Sequence, residues 1–501
     1  IRNDQYFMDI RIVRENTAYW QKKGALVVSF ATEGKDGIIR ETGGKQTLLL
    51  VMGEPDKPAR LGGMTRRKLI LLARRMVREA IAKKYQTVVI DFQECKRIAK
   101  SITLPAMAKE VLSQPDAPAV SHGMSDRDLA ELLTVNFLMA HFTFRDFLTA
   151  PKEGWPDIKT IFLANAESND IKEGVKRGMI IGAEVNRARH IATMPGGEMT
   201  PEILAQHTRQ SVKGLPVKVS VLDEAQMTRL KMGGILGVGK GSNAPSKFII
   251  LEYLGGRKTE QPIVLVGKGV TFDTGGINLK PSNAILGMNM DMSGGAAVIH
   301  ALAAAARLKL KKNIVALIPT VENMPSGSSY RPGDILHSMS GKTIEVLDTD
   351  AEGRIILADA LHYAKRYKPS LVVDVATLTG AAMVALGERA TALFTEDEAL
   401  ELKLRHLGEE SGDYVWPLPL WEEYDVEIKG TFGDVANLGN TRYGGAITAA
   451  MFLKRFVDDA YPWVHLDIAP RMTTLSDEFL AKGSAGAPVR LLVKLLEQYP
   501  S

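Results

Sequence analysis

The second half of the chain alternates two kinds of segment, and this alternation limits the possible folds more than any other feature. Short, largely apolar runs such as PIVLVGKG, KTIEV, SLVVDVATL and PWVHLDIA are separated by amphipathic runs such as GAAVIHALAAAARL and IILADALHYAKRY. Apolar strands that lack a polar alternation are buried on both faces, which is typical of a parallel sheet covered by helices. The sequence therefore predicts an α/β fold whose larger, C-terminal part contains a mostly parallel, helix-covered sheet.

The first third of the chain has a different character. Short β-like runs (ALVVSF, TLLLVMG, TVVIDF, TIFLA) are mixed with helix-like runs such as TRRKLILLARRMVREAIAKK, without an obvious group of reactive side chains. The following segment, IKEGVKRGMIIGAEVNRARHIA, has the pattern of one long helix that ends at the loop TMPGGEMTP. We predict a smaller N-terminal α/β domain over residues 1–164, a connecting helix over 165–195 and a larger C-terminal domain over 196–501.

Composition narrows the class of protein further. The chain has 501 residues, of which 45% are hydrophobic and 24% charged, as expected for a folded protein of two or three domains. The single cysteine excludes an intramolecular disulfide and a cysteine-based zinc site. The formal charge of +5 is spread along the chain without long basic runs, which does not favour nucleic-acid binding. A charged N-terminal segment and the lack of an apolar run of about 18 residues predict a cytoplasmic protein without a membrane span.

Charged side chains concentrate in three segments that follow predicted strands. The segments are VGKGVTFDTGGINLK with Lys268, Asp273 and Lys280, MNMDMSGGAA with Asp291, and LDTDAEGR with Asp348, Asp350, Glu352 and Arg354. In open α/β sheets, sites form beyond the carboxyl ends of the strands. We therefore expect the three segments to meet at one edge of the sheet.

Four carboxylates brought together in this way would require compensating charge. The negative charges would raise the pKa of each neighbouring carboxyl group among Asp273, Asp291, Asp350 and Glu352 by whole units. Each unit corresponds to about 1.4 kcal/mol of unfavourable interaction for the ionised form. Two divalent cations cancel four negative charges, and oxygen-rich ligation suits Mn, Mg or Zn. The sequence thus predicts a dinuclear metal site, an arrangement used by aminopeptidases and phosphatases.

Simpler interpretations exist for each residue taken alone. An acid after a strand is commonly a helix N-cap or a first-turn residue that complements the helix dipole, and single residues such as Lys280 or Arg354 are commonly solvated surface charges. Capping does not explain why these groups recur beside glycines at neighbouring strand ends. The run GILGVGK lacks the Ser or Thr of a phosphate-binding loop, and the HExxH and GxSxG motifs are absent. Two functional alternatives stay open, a nucleic-acid-binding or scaffolding protein with a vestigial site and a metal-dependent phosphoesterase.

Taken together and in this order, the motifs VGKGVTFDTGG…LK, M-x-M-D-M-S-G and DTDAEGR closely resemble those of the leucyl aminopeptidase family, the dinuclear M17 metallopeptidases. The resemblance extends over about residues 192–501 and includes NAPSKFIILEY, GAITAAMFLKRFV and PWVHLDIA. It implies that the N-terminal domain is the family's smaller α/β domain, which is similar to a macro domain.

The resemblance also implies roles for particular residues. One metal ion is expected to bind Lys268, Asp273, Asp291 and Glu352, and the other Asp273, Asp350 and Glu352, with the backbone carbonyl of Asp350 as a further ligand. Lys280 matches the lysine that polarises the scissile carbonyl, and Arg354 matches the arginine that holds bicarbonate, the general base. Met288, Thr377 and Ala481 are expected to line the pocket for the first side chain of the substrate.

The activity implied by the resemblance is that of a metal-dependent aminopeptidase. It would remove N-terminal residues, preferentially large apolar ones such as Leu, from peptides by means of a hydroxide that bridges two Zn or Mn ions. The family resemblance further implies a homohexamer. Asp348 stands where the family usually has Asn, Asn289 where Lys is common and Ser484 where Met occurs. These departures spare the expected metal ligands but affect what can be inferred about metal affinity and substrate preference.

Overall fold

A computed structural model describes residues 8–13, 24–31, 36–42, 45–51, 65–100, 102 and 124–500. Within these residues the strands are β1 (Asp9–Val13), β2 (Ala25–Ala31), β3 (Ile38–Thr42), β4 (Lys45–Val51), β5 (Thr87–Asp91), β6 (Thr160–Ala164), β7 (Val217–Leu222), β8 (Lys247–Leu254), β9 (Ile263–Gly267), β10 (Gly269–Asp273), β11 (Asn313–Asn323), β12 (Ile335–His337), β13 (Thr343–Glu345), β14 (Leu371–Ala376), β15 (Thr391–Phe394), β16 (Val415–Pro417), β17 (Val435–Ala436) and β18 (Trp463–Asp467).

The α-helices of the same residues are α1 (Arg66–Ala82), α2 (Phe92–Lys100), α3 (Asp126–His141), α4 (Asn169–Thr193), α5 (Pro201–Ser211), α6 (Glu224–Arg229), α7 (Gly233–Gly239), α8 (Ser282–Ile285), α9 (Ser293–Arg307), α10 (Glu352–Ala364), α11 (Gly380–Leu386), α12 (Glu398–Ser411), α13 (Gly445–Lys454) and α14 (Val489–Gln498). None of these described helices combines the length and apolar character that crossing a bilayer requires. The chain divides into two compact units, Ile1–Asn186 with Thr474–Lys482 and Arg187–Thr473 with Gly483–Ser501.

The first unit contains an α/β layer. Its described strands form one sheet in the order β1-β6-β5-β2-β4-β3, in which β3 is antiparallel to β4 and the other neighbours are parallel. Helix α1 begins at an N-cap, Thr65, whose hydroxyl accepts a hydrogen bond from the Lys68 amide. Its apolar residues Leu69, Ala73, Met76 and Ala80, spaced by three or four positions, are buried in the core of this unit.

The second unit is organised around a nine-stranded sheet of the described residues. At its centre β11, β9, β14 and β18 are parallel neighbours, and β10 pairs with β11 beside them, while β7, β8 and β15 add antiparallel pairs. Alternate residues of a strand face opposite sides. Val264 and Val266 of β9 pack in a core with Ile355 of α10, whereas the backbone at Gly267 lies against Val298 of α9. The predicted α/β class with a mostly parallel, helix-covered sheet is confirmed.

One predicted strand lies elsewhere. The run KTIEV was expected to belong to the same sheet, but β13 pairs with β12 and β17 in a separate three-stranded sheet of the described residues. The three residues of β13, Thr343–Glu345, are too few to indicate a partner strand, because neighbouring strands are chosen by tertiary packing rather than by local pattern. The segment after β13 nevertheless reaches the carboxyl edge of the main sheet, since α10 returns from it along that sheet.

A buried carboxylate fixes helix α10 in place. Asp359 accepts hydrogen bonds from the backbone amides of Ile235, at 3.0 Å, and Met339, at 2.7 Å. Burial raises the pKa of Asp359 to about 7, although these amide donors lower it. The side chain thus joins three segments of the second unit behind the residues Glu352 and Arg354 at the start of the same helix.

We expect Asp359→Ala to lower the free energy of unfolding by about 2–4 kcal/mol, since it leaves at least two buried amides without an acceptor. Denaturant unfolding of the parent and the variant measures this difference. Asp397→Ala, which removes the N-cap of α12 at a more exposed position, serves as the control and should cost about 1 kcal/mol. Equal losses for the two variants would contradict the role given to Asp359.

Candidate metal centre and active site

The three charged segments of the sequence do meet at the carboxyl edge of the main sheet. Lys268 lies between β9 and β10, Asp273 ends β10 and Glu352 begins α10. Asp291 lies in a 3₁₀ turn, Met288–Met292, which leads into α9. Asp350 lies in the turn between β13 and α10.

Carboxylates and lysines alternate within this cluster. Asp273, Asp350 and Glu352 each place one oxygen within 4.8 Å of the others, a spacing that could hold a metal ion. Lys268 Nζ lies 2.8 Å from Asp291 Oδ2 and 2.7 Å from Glu352 Oε1. Lys280 Nζ lies 2.8 Å from Asp273 Oδ2 and 2.5 Å from Asp350 Oδ1. The cluster therefore contains four carboxylates and two amines.

Helix capping does not account for these acids. Helices α9 and α10 begin after Met292 and Ala351, and neither helix has a side-chain hydrogen bond at its N-cap. The carboxylates of Asp291 and Glu352 turn instead toward Lys268. Within the described residues neither acid therefore caps a helix by a hydrogen bond, although Glu352 does lie in the first turn of α10, where an acid complements the helix dipole.

The pKa values of the cluster are shifted because like charges lie close together and are shielded from water. Burial, and then the carboxylate of Asp273, raise the pKa of Asp350 to about 7 and raise that of Glu352. Burial lowers the pKa of Lys268, but its neighbouring carboxylates raise it more, so that its pKa lies above the usual value. The negative charge gathered in the cluster therefore favours the binding of cations there.

Two glycines allow these groups to approach each other. A Cβ at Gly353 would lie 2.7 Å from Lys268 Cε, so the lysine can pass the start of α10 because this residue has no side chain. Gly275 has a φ of +87°, and a Cβ there would lie 2.9 Å from Asp350 Oδ1. The glycines of VGKGVTFDTGG and DAEGR therefore have a steric role in bringing the charged residues together.

Arg354, on the first turn of α10, is a buried cation with free donors. Its side chain is 5% exposed, and its Nε and Nη1 atoms have no hydrogen-bond partner within the described residues. Burial lowers the pKa of Arg354 to about 10, although Glu352, Asp467 and Asp348 raise it, so the side chain is a cation at neutral pH. A buried guanidinium with unused N–H groups is suited to binding a small anion.

The residues predicted to line a substrate pocket are divided between the units. Met288 and Thr377 belong to the second unit and Ala481 to the first, where its carbonyl accepts a hydrogen bond from Thr474 Oγ1. Thr377 has an additional role that the sequence did not indicate. Its hydroxyl donates to Asp291 Oδ1 at 2.6 Å, and its carbonyl accepts a hydrogen bond from Lys268 Nζ at 2.8 Å.

The three positions that depart from the family pattern have distinct environments. Asn289 Nδ2 donates to the carbonyl of Met194 at 2.9 Å, which ties the turn that carries Asp291 to the end of α4. Asp348 Oδ1 accepts the backbone N–H of Asp350 at 2.8 Å. Ser484 is buried, and its backbone N–H donates to Thr193 Oγ1 at 3.1 Å.

Asn437, which holds the turn before α10, and the buried pair His465–Asp374 were missed by the sequence reasoning. Asn437 accepts the N–H of Leu347 at 2.7 Å and donates to the carbonyl of Asp348 at 2.6 Å, so it clamps the turn before α10. His465 Nδ1 lies 2.6 Å from Asp374 Oδ1 inside the sheet. The signal that could have identified His465 and Asp374 is a charged residue inside an otherwise apolar strand, whereas Asn437 gave no comparable signal.

The donor set of the cluster fits divalent cations. Oxygens of Asp291, Asp350 and Glu352 lie buried within ion-pair distance of a lysine but lack a partner in hydrogen-bond geometry among the residues that the structure describes. Carboxylate oxygens are donors that Mn, Mg and Zn accept. An α/β domain that gathers such a set at its strand ends is typical of metal-dependent hydrolases.

Comparison with known proteins gives the family. The model of the cytosol aminopeptidase family, catalytic domain, matches residues 186–493, and the chain belongs to this family. A probable cytosol aminopeptidase of Syntrophotalea carbinolica is 45% identical over 77% of this chain and 78% of its own length. Another, from an Azoarcus species, is 47% identical over 69% of this chain and 70% of its own. The solved structure of the bottromycin maturation enzyme BotP in complex with Mn has a TM-score of 0.77 and 28% identity, and covers 94% of this chain and 98% of BotP.

Membership of this family establishes the general activity. The protein is a metal-dependent aminopeptidase, that is, a hydrolase of the metallo-exopeptidase class. Divalent metal ions are its cofactors, and peptides fit as its substrates.

Proposed function

We propose that this aminopeptidase removes large apolar, Leu-like residues from the N-termini of peptides, with two Zn or Mn ions bound at the carboxylate cluster. The observation that carries the proposal is the convergence of Asp273, Asp350 and Glu352 within 4.8 Å of one another, with Lys268 and Asp291 beside them. Lys268, Asp273, Asp291 and Glu352 would hold one ion, and Asp273, Asp350 and Glu352 the other.

The charge of the cluster supports two ions. Four carboxylates carry four negative charges, and Lys268 must be neutral to act as a ligand, so two divalent ions would balance the site. A dication beside the same carboxylates lowers the pKa of a neighbouring amine, which opposes the effect of those carboxylates on Lys268. When bound, the ions supply Lewis acidity that activates the attacking water and polarises the scissile carbonyl. The complex of the similar BotP with Mn supports manganese as one of the candidates.

Lys280 and Arg354 are proposed to act on the substrate and on the base. The ammonium of Lys280 lies at the rim of the cluster, with 15% of its side chain exposed, where it can donate to the oxygen of the carbonyl as negative charge develops. Arg354 would hold bicarbonate through its unused N–H groups, and the bicarbonate would take the proton of the attacking water. The carboxylates of the cluster are themselves engaged with lysines, which supports an external base.

The substrate preference and assembly form the remainder of the proposal. Met288 and Thr377 of the second unit would line the pocket for the first side chain, and their methyl groups suit Leu or Met; Ala481, in the first unit, stays a prediction from the family resemblance. The second unit exposes the large apolar side chains of Trp421, Phe432 and Tyr443, which supports contacts between copies and a homohexamer. The names of the relatives support a cytoplasmic location.

A small substrate panel tests the proposed activity. After chelation and return of Mn or Zn, the anilides of Leu, Met, Ala and Glu are compared with a simple phosphate ester. We expect metal-dependent hydrolysis of the Leu and Met anilides to exceed that of the others. Faster hydrolysis of the phosphate ester would contradict peptidase activity, and an equal rate on Glu would contradict the apolar preference.

We expect Arg354→Ala to weaken the response of activity to added bicarbonate, because the variant lacks the buried guanidinium that would hold it. The measurement is a titration of bicarbonate in buffer depleted of carbon dioxide. Arg354→Lys keeps the positive charge but loses the planar set of guanidinium N–H donors. It should therefore give a response to bicarbonate between those of the parent and Arg354→Ala. A bicarbonate titration of Arg354→Ala identical to that of the parent would mean that the base is another group.

A further inference from the structure

Asn323, the last residue of β11, lies between the two segments that carry the carboxylate cluster. We call them its two arms: one is the end of β10 with Asp273, and the other is the turn before α10 with Asp350. We propose that Asn323 is a positioning residue that holds Asp273 and the Asp348–Asp350 turn at the separation needed for metal binding. The inference rests on the proposed metal site and extends it to a residue outside the expected ligand set. Asn323 is fully buried, and it faces Asp273 across the β10–β11 pair.

Both hydrogens of the Asn323 amide are used, one for each arm. Nδ2 donates to Asp273 Oδ1 at 2.8 Å and to the carbonyl of Thr349 at 2.9 Å. Thr349 immediately precedes Asp350 in the turn that follows β13. One side chain therefore bridges the end of β10 and the segment that carries Asp350 and Glu352.

The neighbours of Asn323 determine the orientation of its amide. A carboxylate oxygen and a backbone carbonyl are both acceptors, so only the NH₂ group can face the two of them. The opposite orientation would place an oxygen against two oxygens. The other amide atom, Oδ1, has no hydrogen-bond partner within the described residues and lies 2.8 Å from where a Cβ on Gly276 would be.

The hydrogen bond also determines which oxygen of Asp273 is free for the cluster. Oδ1 accepts from Asn323 and from the N–H of Gly275 at 2.9 Å, while Oδ2 faces Lys280. With Oδ1 held, the carboxylate cannot rotate without losing two hydrogen bonds. Outer partners of this kind orient metal-binding carboxylates, and their removal commonly weakens metal affinity by about 10- to 100-fold.

The Thr349 carbonyl is held by a second donor, which limits the role of Asn323 to the bridge. Tyr330 Oη donates to the same carbonyl at 2.7 Å. The backbone of Asn323 has its own partners, since its carbonyl accepts from the N–H of Thr274 at 3.0 Å. Loss of the Asn323 side chain would therefore leave each arm partly anchored but would uncouple one arm from the other.

The same strand provides a matched control at its opposite end. Asn313, the first residue of β11, is also buried, and its Nδ2 donates to the carbonyls of Arg257 at 2.7 Å and Glu260 at 2.9 Å. The two asparagines are separated by roughly 33 Å, ten residues of extended chain. Asn313→Ala thus removes a similar bridge from the same strand at a distance from the cluster.

The experiment measures Mn²⁺ binding to the metal-free full chain by calorimetry, together with its thermal unfolding. We expect Asn323→Ala to weaken Mn²⁺ affinity by about 10- to 100-fold, and Asn313→Ala to leave it within about twofold while lowering the melting temperature comparably. Asn323→Leu, which keeps the volume but has no donor, should reproduce the loss if Asn323→Ala fails to fold.

Two outcomes would overturn the role of Asn323. One is Mn²⁺ binding to a folded Asn323 variant within twofold of the parent, and the other is an equal loss of affinity in Asn313→Ala. Failure of the underlying metal site has a different signature, because the parent itself would then bind no Mn²⁺ in the calorimeter.

Discussion

Replacement of Lys280 by alanine is expected to lower kcat by about 10²–10³-fold while both metal ions remain bound. In the structure the Lys280 ammonium contacts Asp273 and Asp350 at the rim of the cluster. Its charge opposes cation binding at these carboxylates but favours an oxygen that becomes negative during the reaction. The variant should therefore bind metal at least as well as the parent and lose stabilisation of the transition state.

The effect on kcat should exceed the effect on KM, since the developing charge exists only in the transition state. Steady-state kinetics on a leucine anilide, with elemental analysis of the same samples, measure both parts of the prediction. Lys213→Ala, at an exposed position of the second unit, controls for loss of a positive charge. Near-normal turnover of Lys280→Ala would remove Lys280 from the mechanism.

Asp350→Asn is expected to lose about one metal equivalent per chain after dialysis, and with it most of the activity. An amide carries no charge and binds divalent ions more weakly than a carboxylate, so the ion that lacks Lys268 and Asp291 as ligands should be lost first. Metal content by elemental analysis is the measurement. Unchanged stoichiometry would contradict the assignment of Asp350 as a ligand.

The neighbouring acid provides the control for this experiment. Asp348 lies in the same turn, two residues earlier, and its Oδ1 accepts the N–H of Asp350 rather than facing a lysine of the cluster. Asn at this position retains an oxygen that can accept the same hydrogen bond. Asp348→Asn should therefore keep both ions, and an equal loss of metal in the two variants would indicate a general disruption of the turn.

Much of this protein could be predicted from local pattern. Apolar runs such as IVLVG, buried on both faces, indicate a parallel sheet whatever their order, because burial of strand and helix faces is a property of each segment. The acids of DTDAEGR and the Asp of M-D-M-S-G could be recognised as a group because the chemistry of four carboxylates in one place demands cations. The sequence order of the motifs was also sufficient for the resemblance to the family.

Other features depended on contacts between segments far apart in the chain. The strand KTIEV joined a separate sheet, and Thr377 proved to hold Asp291 as well as being a pocket candidate. Asn323 and Asn437 have no distinctive local pattern, since an asparagine at a strand end is equally consistent with an ordinary turn.

The sequence by itself determined the fold class, the kinds of donor available and the charge that they must share. These properties follow from hydrophobic periodicity and from side-chain chemistry, which are local. Only the tertiary structure decided that the Asp273 and Asp350 arms are bridged by Asn323, and that Arg354 is buried with unused donors. Hydrogen bonds and burial depend on positions in space that residues distant in sequence reach together, and for this reason no local pattern specifies them.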